Sequence, residues 1–149
     1  MATLNSLCIS MDQEEINFLE TLTKNHHFKK GDIICREGDE AKQIFFIISG
    51  KVKISLEVED DKYIRLGGFS AGSAFGESAL IDASFRSADA IASTEVEVKE
   101  LYIDELRNRE HPLASKVENK LYKNLASQYD VKLRNANKHI RALSAEFRP

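Results

Sequence analysis

The middle of the chain, residues 28–103, is divided into short apolar runs by turns rich in glycine or in paired acidic residues. All seven glycines of the 149 residues lie there, between Gly31 and Gly76. Most of the runs alternate apolar and polar residues over strand-like lengths, and residues 44–48 form an apolar run of strand length. Many short strands at regular spacing favour two packed sheets or a barrel over a helical bundle. The predicted strands lie within residues 32–36, 44–48, 51–58, 63–69 and 88–103.

Helical patterns flank this region on both sides. Residues 10–27 are predicted as an N-terminal helix, which Ser10 or Asp12 can cap and in which apolar residues recur at helical spacing. Residues 104–145 are predicted as C-terminal helices, a short one capped by Asp104 and a long one opened by Pro112. Inside the β-region, residues 75–81 are small and apolar, which predicts one or two helical turns followed by a loop.

The long C-terminal helix carries an apolar stripe of about seven turns, more than a small β-domain can cover. Part of the stripe is therefore expected to pack elsewhere, either in a homodimer or over a bound ligand as a lid. The stripe consists of Val117, Leu121, Leu125, Tyr129, Leu133, Ala136, Ile140 and Leu143.

Composition excludes several classes of protein. A formal net charge of −3 argues against non-specific binding to nucleic acid or anionic membranes. Cys8 and Cys35 are far apart and form no CxxC pair, so neither a disulfide framework nor a zinc site is expected. The four histidines lack metal-ligand spacing, and no P-loop or Ser–His–Asp order is present, so neither a metal nor an enzymatic activity is predicted. Without a signal peptide or an apolar run near 20 residues, the expected location is cytoplasmic, with no membrane contact.

The segment 75–88 carries most of the recognisable chemistry. Gly76 lets the backbone approach a ligand closely, and the predicted short helix after it presents unpaired N–H groups. Arg86, nine residues after Glu77, has a planar fork that suits a phosphate, and Ser87 adds a hydroxyl. A carboxylate beside a phosphate is unfavourable unless Glu77 accepts a hydrogen bond from a ribose hydroxyl, as acidic residues do in dinucleotide sites.

Two motifs resemble the cyclic nucleotide-binding domain family, which includes catabolite-activator-type regulators, kinase regulatory subunits and cyclic-nucleotide-gated channels. Phe75-Gly76-Glu77-Ser78-Ala79-Leu80 followed by Arg86-Ser87-Ala88 is similar to the family's phosphate-binding cassette. Ile34-Cys35, Gly38-Asp39, Ala41, residues 44–47 and Gly50 resemble its first strand-turn-strand motif. The resemblance covers about residues 19–125, and it departs at Phe85, where many members carry proline.

The resemblance implies a fold and a set of contacts. The fold is a single domain, 1–149, built as a double-stranded β-helix of jelly-roll type with a short N-terminal helix, a cassette helix and a long C-terminal helix. Arg86 would pair with the phosphate, Glu77 with the ribose 2′-hydroxyl, and the base would lie against Leu66 under the long helix. The residues expected to bind the ligand are Phe75, Gly76, Glu77, Ser78, Ala79, Arg86, Ser87, Ala88 and Leu66.

The implied function is sensing of cAMP or cGMP, in which ligand binding moves the C-terminal helices to control a partner or a fused effector that the sequence does not identify. Ser87 could contact the 2-amino group of a syn guanine, but the Arg86-Ser87-Ala88 segment resembles bacterial members, which favours cAMP. A chain ending at Pro149 has no room for a helix-turn-helix after the long helix, so DNA is not an expected partner. The alternative is a ligand-free structural module that dimerises through its long helix.

Overall fold

The computed structural model describes residues 5–81 and 84–146. At the N-terminus, a 3-10 helix, Ser6–Cys8, precedes helix α1, Gln13–Leu22. The Asp12 carboxylate accepts the backbone N–H of Glu15 at 2.8 Å, and the Glu15 carboxylate accepts that of Asp12 at 3.1 Å, which closes a capping box. Asp12, not Ser10, is therefore the cap.

Helix α1 is shorter than the predicted 10–27 because residues after Leu22 belong to the sheet. Lys24–Phe28 form strand β1, whose backbone pairs with the strand at residues 96–102. The side chains of β1 are mostly exposed, so no apolar stripe continues the helix beyond Leu22.

Two four-stranded antiparallel sheets form the body of the chain, which confirms the predicted double-sheet roll. One sheet has the strand order β1-β8-β3-β6 and the other β2-β7-β4-β5. The predicted run 88–103 is divided between the two sheets, because the chain leaves one at Ala92 and enters the other at Val96. The strands after β1 are β2 Ile33–Cys35, β3 Gln43–Ser49, β4 Lys51–Glu59, β5 Lys62–Ser70, β6 Ala74–Phe75, β7 Asp89–Ala92 and β8 Val96–Tyr102.

Strand β3 lies between two hydrophobic cores, which explains why its sequence is apolar without alternation. Phe45 and Ile47 point into the core between the sheets, where they pack with Phe75 and residues of β8. Ile44 and Phe46 point the other way, into a core shared with the helices. Phe75 brings the start of the cassette, residues 75–88, into the inter-sheet core, whereas Ala79 and Leu80 of the same segment pack in the core shared with the helices.

Three helices follow or interrupt the strands: α2 Ser78–Ile81, α3 Ile103–Arg107 and α4 Ala114–Glu146. Helix α3 begins one residue before Asp104, and α4 begins two residues after Pro112. With 33 residues, α4 is about 50 Å long. Val117, Leu121 and Leu125 are buried, whereas every described residue from Tyr129 onward is exposed. Within the described residues, no helix is long and apolar enough to span a membrane.

Candidate functional site

The backbone of Arg86 joins the two motifs that carry the family resemblance. Its N–H donates to the carbonyl of Asp39 at 2.7 Å, and its carbonyl accepts the N–H of Gly38 at 2.9 Å. The Gly38-Asp39 turn of the first motif is thus fixed against the end of the cassette, although the two are separated by more than forty residues. The two motifs, which are distant in the sequence, are therefore in contact at Arg86 in the folded chain.

The Arg86 side chain is buried, with 6% of the residue's surface exposed, and its guanidinium is held by backbone carbonyls. Nη1 donates to the carbonyl of Gly76 at 3.0 Å, and Nη2 donates to the carbonyl of Gln43 at 2.6 Å and to its side-chain oxygen at 3.3 Å. The guanidinium also lies 5.8 Å from the centre of the Phe45 ring. Of its five N–H donors, these bonds occupy three, and the buried Nε has no partner.

A cavity of about 260 Å³ opens beside this guanidinium, near the small end of the range for ligand pockets of roughly 300–1,000 Å³. The cassette lines one side, and strands β2, β4, β5 and β7 of one sheet together with α4 line the others. The predicted site residues that line it are Phe75, Gly76, Glu77, Ser78, Arg86, Ser87 and Ala88.

The structure places two predicted site residues, Ala79 and Leu66, outside the cavity lining. Ala79 is 1% exposed and points from α2 into the core shared with the helices. Leu66 is 55% exposed on β5, at a register shift where Arg65 pairs with Ser55 and Gly67 with Ile54. The shift leaves Leu66 without a partner, as in a β-bulge, and Phe69 of the same strand lines the cavity instead.

Several lining residues were not expected from the sequence because they come from distant elements. Ile54, Phe69 and Tyr129 supply an apolar wall, and Cys35 lines the cavity from β2. Ala90 of the paired strand β7 also lines it, as expected from a small side chain that lets this strand lie near a ligand. Tyr129 was visible in the helical stripe, as the member that follows the last buried leucine, Leu125. No local pattern distinguishes the others from ordinary core residues.

The cavity places Glu77 next to a hydroxyl of the long helix. Burial raises the pKa of Tyr129, and the negative charge of Glu77 and a hydrogen bond to it raise that pKa further. The Tyr129 hydroxyl therefore keeps its proton at neutral pH and can donate a hydrogen bond to the Glu77 carboxylate. Lys132 lies over the rings of Tyr129 and Phe69, at 5.6 and 6.0 Å from their centres, and adds a positive charge at the cavity wall.

Burial also raises the pKa of the Cys35 thiol, more than the nearby Arg86 lowers it, so this lining group is neutral. Within residues 5–81 and 84–146, no group of three or more His, Cys, Asp or Glu side chains is placed to hold a metal ion.

We expect Gly76→Ala to lower the melting temperature by at least about 3 °C. Gly76 has φ +75°, and a Cβ there would lie 2.7 Å from Arg86 Nη1 and 3.1 Å from the Gln43 carbonyl. A left-handed backbone costs an L-residue roughly 1–2 kcal/mol before any displacement of Arg86, and each kcal/mol shifts Tm by about 2–4 °C in a chain of this size. Thermal unfolding followed by calorimetry measures the change.

The matched control for this variant is Gly67→Ala, where an added Cβ meets nothing within 4 Å. Its melting temperature should stay at or slightly above that of the unmodified protein. Equal melting temperatures for the two alanine variants would show that the Gly76 backbone and its contact with Arg86 are not needed for stability.

The comparisons with known proteins agree with this fold. Residues 25–109 match the family model described as "Cyclic nucleotide-binding domain". The chain is 32% identical over 142 residues to Glutaminase 2 of Bradyrhizobium diazoefficiens, covering 94% of this chain and 22% of that protein. It is 36% identical over 90 residues to the cGMP-dependent protein kinase of Toxoplasma gondii, covering 60% of this chain and 9% of that protein.

Among solved structures, the catabolite activator protein of Thermus thermophilus superposes with a TM-score of 0.78 at 24% identity, over 94% of this chain and 63% of that one. This likeness shows the fold. The chain spans less than a quarter of the length of either curated relative. From the family match over residues 25–109 and the shared fold, the chain belongs to the cyclic nucleotide-binding domain family, a family of regulatory modules.

Proposed function

We propose that the chain binds a cyclic nucleotide, cAMP in preference to cGMP, in the cavity beside the cassette, and that binding changes how α4 packs on the roll. The observation that carries the proposal is the buried Arg86 guanidinium, which lines the cavity and retains an unpartnered Nε–H. A buried cation with unused donors is stabilised by an anion that can accept them. The single negative charge of a cyclic phosphate provides one.

The other lining residues divide into a polar and an apolar half that suit the rest of a nucleotide. Glu77, which lines the cavity, would accept a hydrogen bond from the ribose 2′-hydroxyl. Gly76 and Ser78, with Ser87 and Ala88 on the other side, would donate to the phosphate and sugar. The apolar wall of Ile54, Phe69 and Tyr129 would contact the base in place of Leu66.

The choice of cAMP over cGMP rests on the resemblance of Arg86-Ser87-Ala88 to bacterial members. Ser87 is exposed and lines the cavity, so its hydroxyl is available to a guanine amino group, and a relative of this chain is a cGMP-dependent kinase. The titrations described next, repeated with cGMP, distinguish the two ligands.

We expect removal of the ribose 2′-hydroxyl to weaken binding to the unmodified protein by about tenfold. A hydrogen bond to a charged group contributes roughly 1.5–3 kcal/mol, and a factor of about ten corresponds to the low end of that range. In Glu77→Ala, cAMP and 2′-deoxy-cAMP should bind with equal affinity. Isothermal titration of both proteins with both ligands provides the four dissociation constants.

Two outcomes of the titration bear on the proposal differently. If Glu77→Ala still prefers the ribose ligand tenfold, another group reads the 2′-hydroxyl and Glu77 has a structural role. If the unmodified protein binds neither cAMP nor cGMP at millimolar concentration, the chain is not a nucleotide sensor, and the alternative of a ligand-free dimerisation module takes its place.

We further propose that the chain forms a homodimer through the exposed end of α4. The last five members of its apolar stripe, here called the distal stripe, are spaced by four, three, four and three residues, as in a coiled-coil seam. The large members are 38–60% exposed in the single chain. They are Tyr129, Leu133, Ile140 and Leu143, with Ala136 between them.

The proposal assigns regulation to this chain and catalysis, where there is any, to an attached or associated effector. The chain matches about a fifth of a glutaminase and a tenth of a protein kinase, two proteins with unrelated activities. A cytoplasmic location forms part of the proposal, supported by two free cysteines, which are typical of reducing compartments.

A further inference from the structure

Arg107 is the last residue of α3, and its guanidinium contacts two other helices. Nη2 donates to the carbonyl of Leu80 in α2 and to the hydroxyl of Tyr122 in α4, the latter at 2.6 Å. Nε lies 3.3 Å from a carboxylate oxygen of Glu118, also in α4. The Tyr122 hydroxyl donates to that same oxygen at 3.1 Å, so the two α4 residues and Arg107 form a closed network.

The Leu80 carbonyl lies near the end of a short helix, where a donor from another element can reach it. Helix α2 has only four residues, and the last four carbonyls of any helix have no intrahelical donor. Arg107 caps one of them from α3. The α4 partners, Glu118 and Tyr122, are four residues apart and therefore lie on one face of that helix. One planar group thus links the cassette helix to the first turns of the long helix.

The apolar contacts between the same helices cannot fix this geometry as closely. Ala79 and Leu80 share a core with Val117 and Leu121, but apolar packing is non-directional. Hydrogen bonds to a planar guanidinium weaken steeply when the angle departs from linear. A shift of α2 therefore either breaks the contacts of Arg107 or draws α4 with it.

We infer that Arg107 is a positioning residue that couples the cassette to α4, by holding the Leu80 carbonyl and the Glu118–Tyr122 pair at the same time. Displacement of α2 on nucleotide binding is passed through this side chain to the first turns of α4. The inference rests on the proposed function, because it requires a nucleotide in the cavity. Arg107 does not line that cavity.

The test compares Arg107→Met with Arg109→Met, which makes the same chemical change two residues away. Arg109 is half-exposed and pairs with Glu105 at 3.2 Å, within the segment that contains α3. Amide hydrogen exchange of residues 114–125 is measured for each protein without cAMP and with cAMP at a concentration shown by titration to saturate that variant. Thermal unfolding without ligand records stability separately.

We expect saturating cAMP to change exchange in residues 114–125 by roughly fivefold or more in the unmodified protein and in Arg109→Met, the lower end of typical coupling between sites. In Arg107→Met the change should fall below about twofold. If Arg107 had a merely structural role, the variant would have a lower melting temperature, but the ratio of its exchange rates with and without cAMP would equal that of the unmodified protein.

Tyr122→Phe provides a second variant, which removes the hydroxyl and its two hydrogen bonds, to Arg107 and Glu118, but keeps the aromatic ring. The test therefore does not depend on Arg107→Met folding. Tyr122→Phe should reduce the ratio to a value between those of Arg107→Met and the unmodified protein. If Tyr122→Phe, and Arg107→Met where it folds, keep the full ratio of exchange rates with and without cAMP, the inference is overturned and the proposed function is unaffected. Failure of the unmodified protein to bind any cyclic nucleotide overturns the proposed function, and the inference with it.

Discussion

Arg86→Ala is expected to weaken cAMP binding by roughly 30- to several-thousand-fold, because removing one partner of a desolvated charge pair costs about 2–5 kcal/mol. The cyclic phosphate would pair with this guanidinium, which lines the cavity. Titration calorimetry with the unmodified protein and the variant measures the ratio of dissociation constants.

The same substitution should also lower the stability of the ligand-free protein. The carbonyls of Gly76 and Gln43 lose their donor when the side chain is truncated, and an unsatisfied buried polar group costs about 1–3 kcal/mol. Reduced binding by Arg86→Ala alone would therefore have two explanations. Arg86→Lys keeps the charge but lacks the fork. The melting temperature of each ligand-free variant separates a loss of stability from a loss of phosphate binding.

The matched control is Arg65→Ala, which removes an exposed arginine that donates to the carbonyl of Gly67 on β5. It should change neither affinity nor melting temperature appreciably. If Arg86→Lys and Arg86→Ala both remain folded and bind cAMP as tightly as the unmodified protein, Arg86 is a structural residue and the phosphate site lies elsewhere.

Ile140→Asp is expected to raise the dissociation constant of the homodimer by at least about 100-fold. Burying an Ile side chain contributes roughly 1.5–3 kcal/mol, a symmetric dimer loses two such contributions, and two carboxylates at the seam repel each other. Ile140 is 58% exposed in the single chain, so its substitution should leave the fold of the monomer unchanged. Sedimentation equilibrium over a range of protein concentrations measures the dissociation constant.

Val131→Asp is the control for position on the helix. Val131 is 57% exposed and lies outside the distal stripe. Its substitution likewise replaces a β-branched apolar side chain with a carboxylate. This variant should dimerise as the unmodified protein does. A monomer at all concentrations for the unmodified protein, with a melting temperature independent of concentration, would contradict the dimer. Slower exchange of the distal stripe on addition of cAMP to such a monomer would identify the stripe as a lid instead.

The parts of the site that could be predicted from the sequence are those that are contiguous in it. Phe75 to Ser78 and Arg86 to Ala88 lie within fourteen positions, and the chemistry of glycine, carboxylate and guanidinium at that spacing is informative before folding. The apolar wall is different, because Ile54, Phe69 and Tyr129 come from three elements that only the tertiary structure brings together.

The errors likewise follow from physical effects that short patterns do not contain. Leu66 was expected at the base from the family resemblance, and the register shift opposite Ser55 leaves it exposed and outside the cavity lining. The N-terminal helix was extended to residue 27 because pairing of β1 with β8 is a long-range contact. The two-sheet fold itself was predictable, since it depends on the spacing of turns and not on register.

The apolar residues of α4 do not lie on a straight line along the helix. Each residue advances the helix face by about 100°, so the three four-residue steps from Val117 to Tyr129 carry the stripe about 120° around the axis. A straight helix therefore presents Val117 to the core beneath the sheet and Tyr129 to the cavity. If α4 turned about its own axis as a rigid rod, Tyr129 and the other residues of the distal stripe would rotate through the same angle. Rotation of one rigid helix about its axis, without bending or sliding, is thus sufficient to transmit a change at the cavity wall to Leu143, about 20 Å farther along the helix.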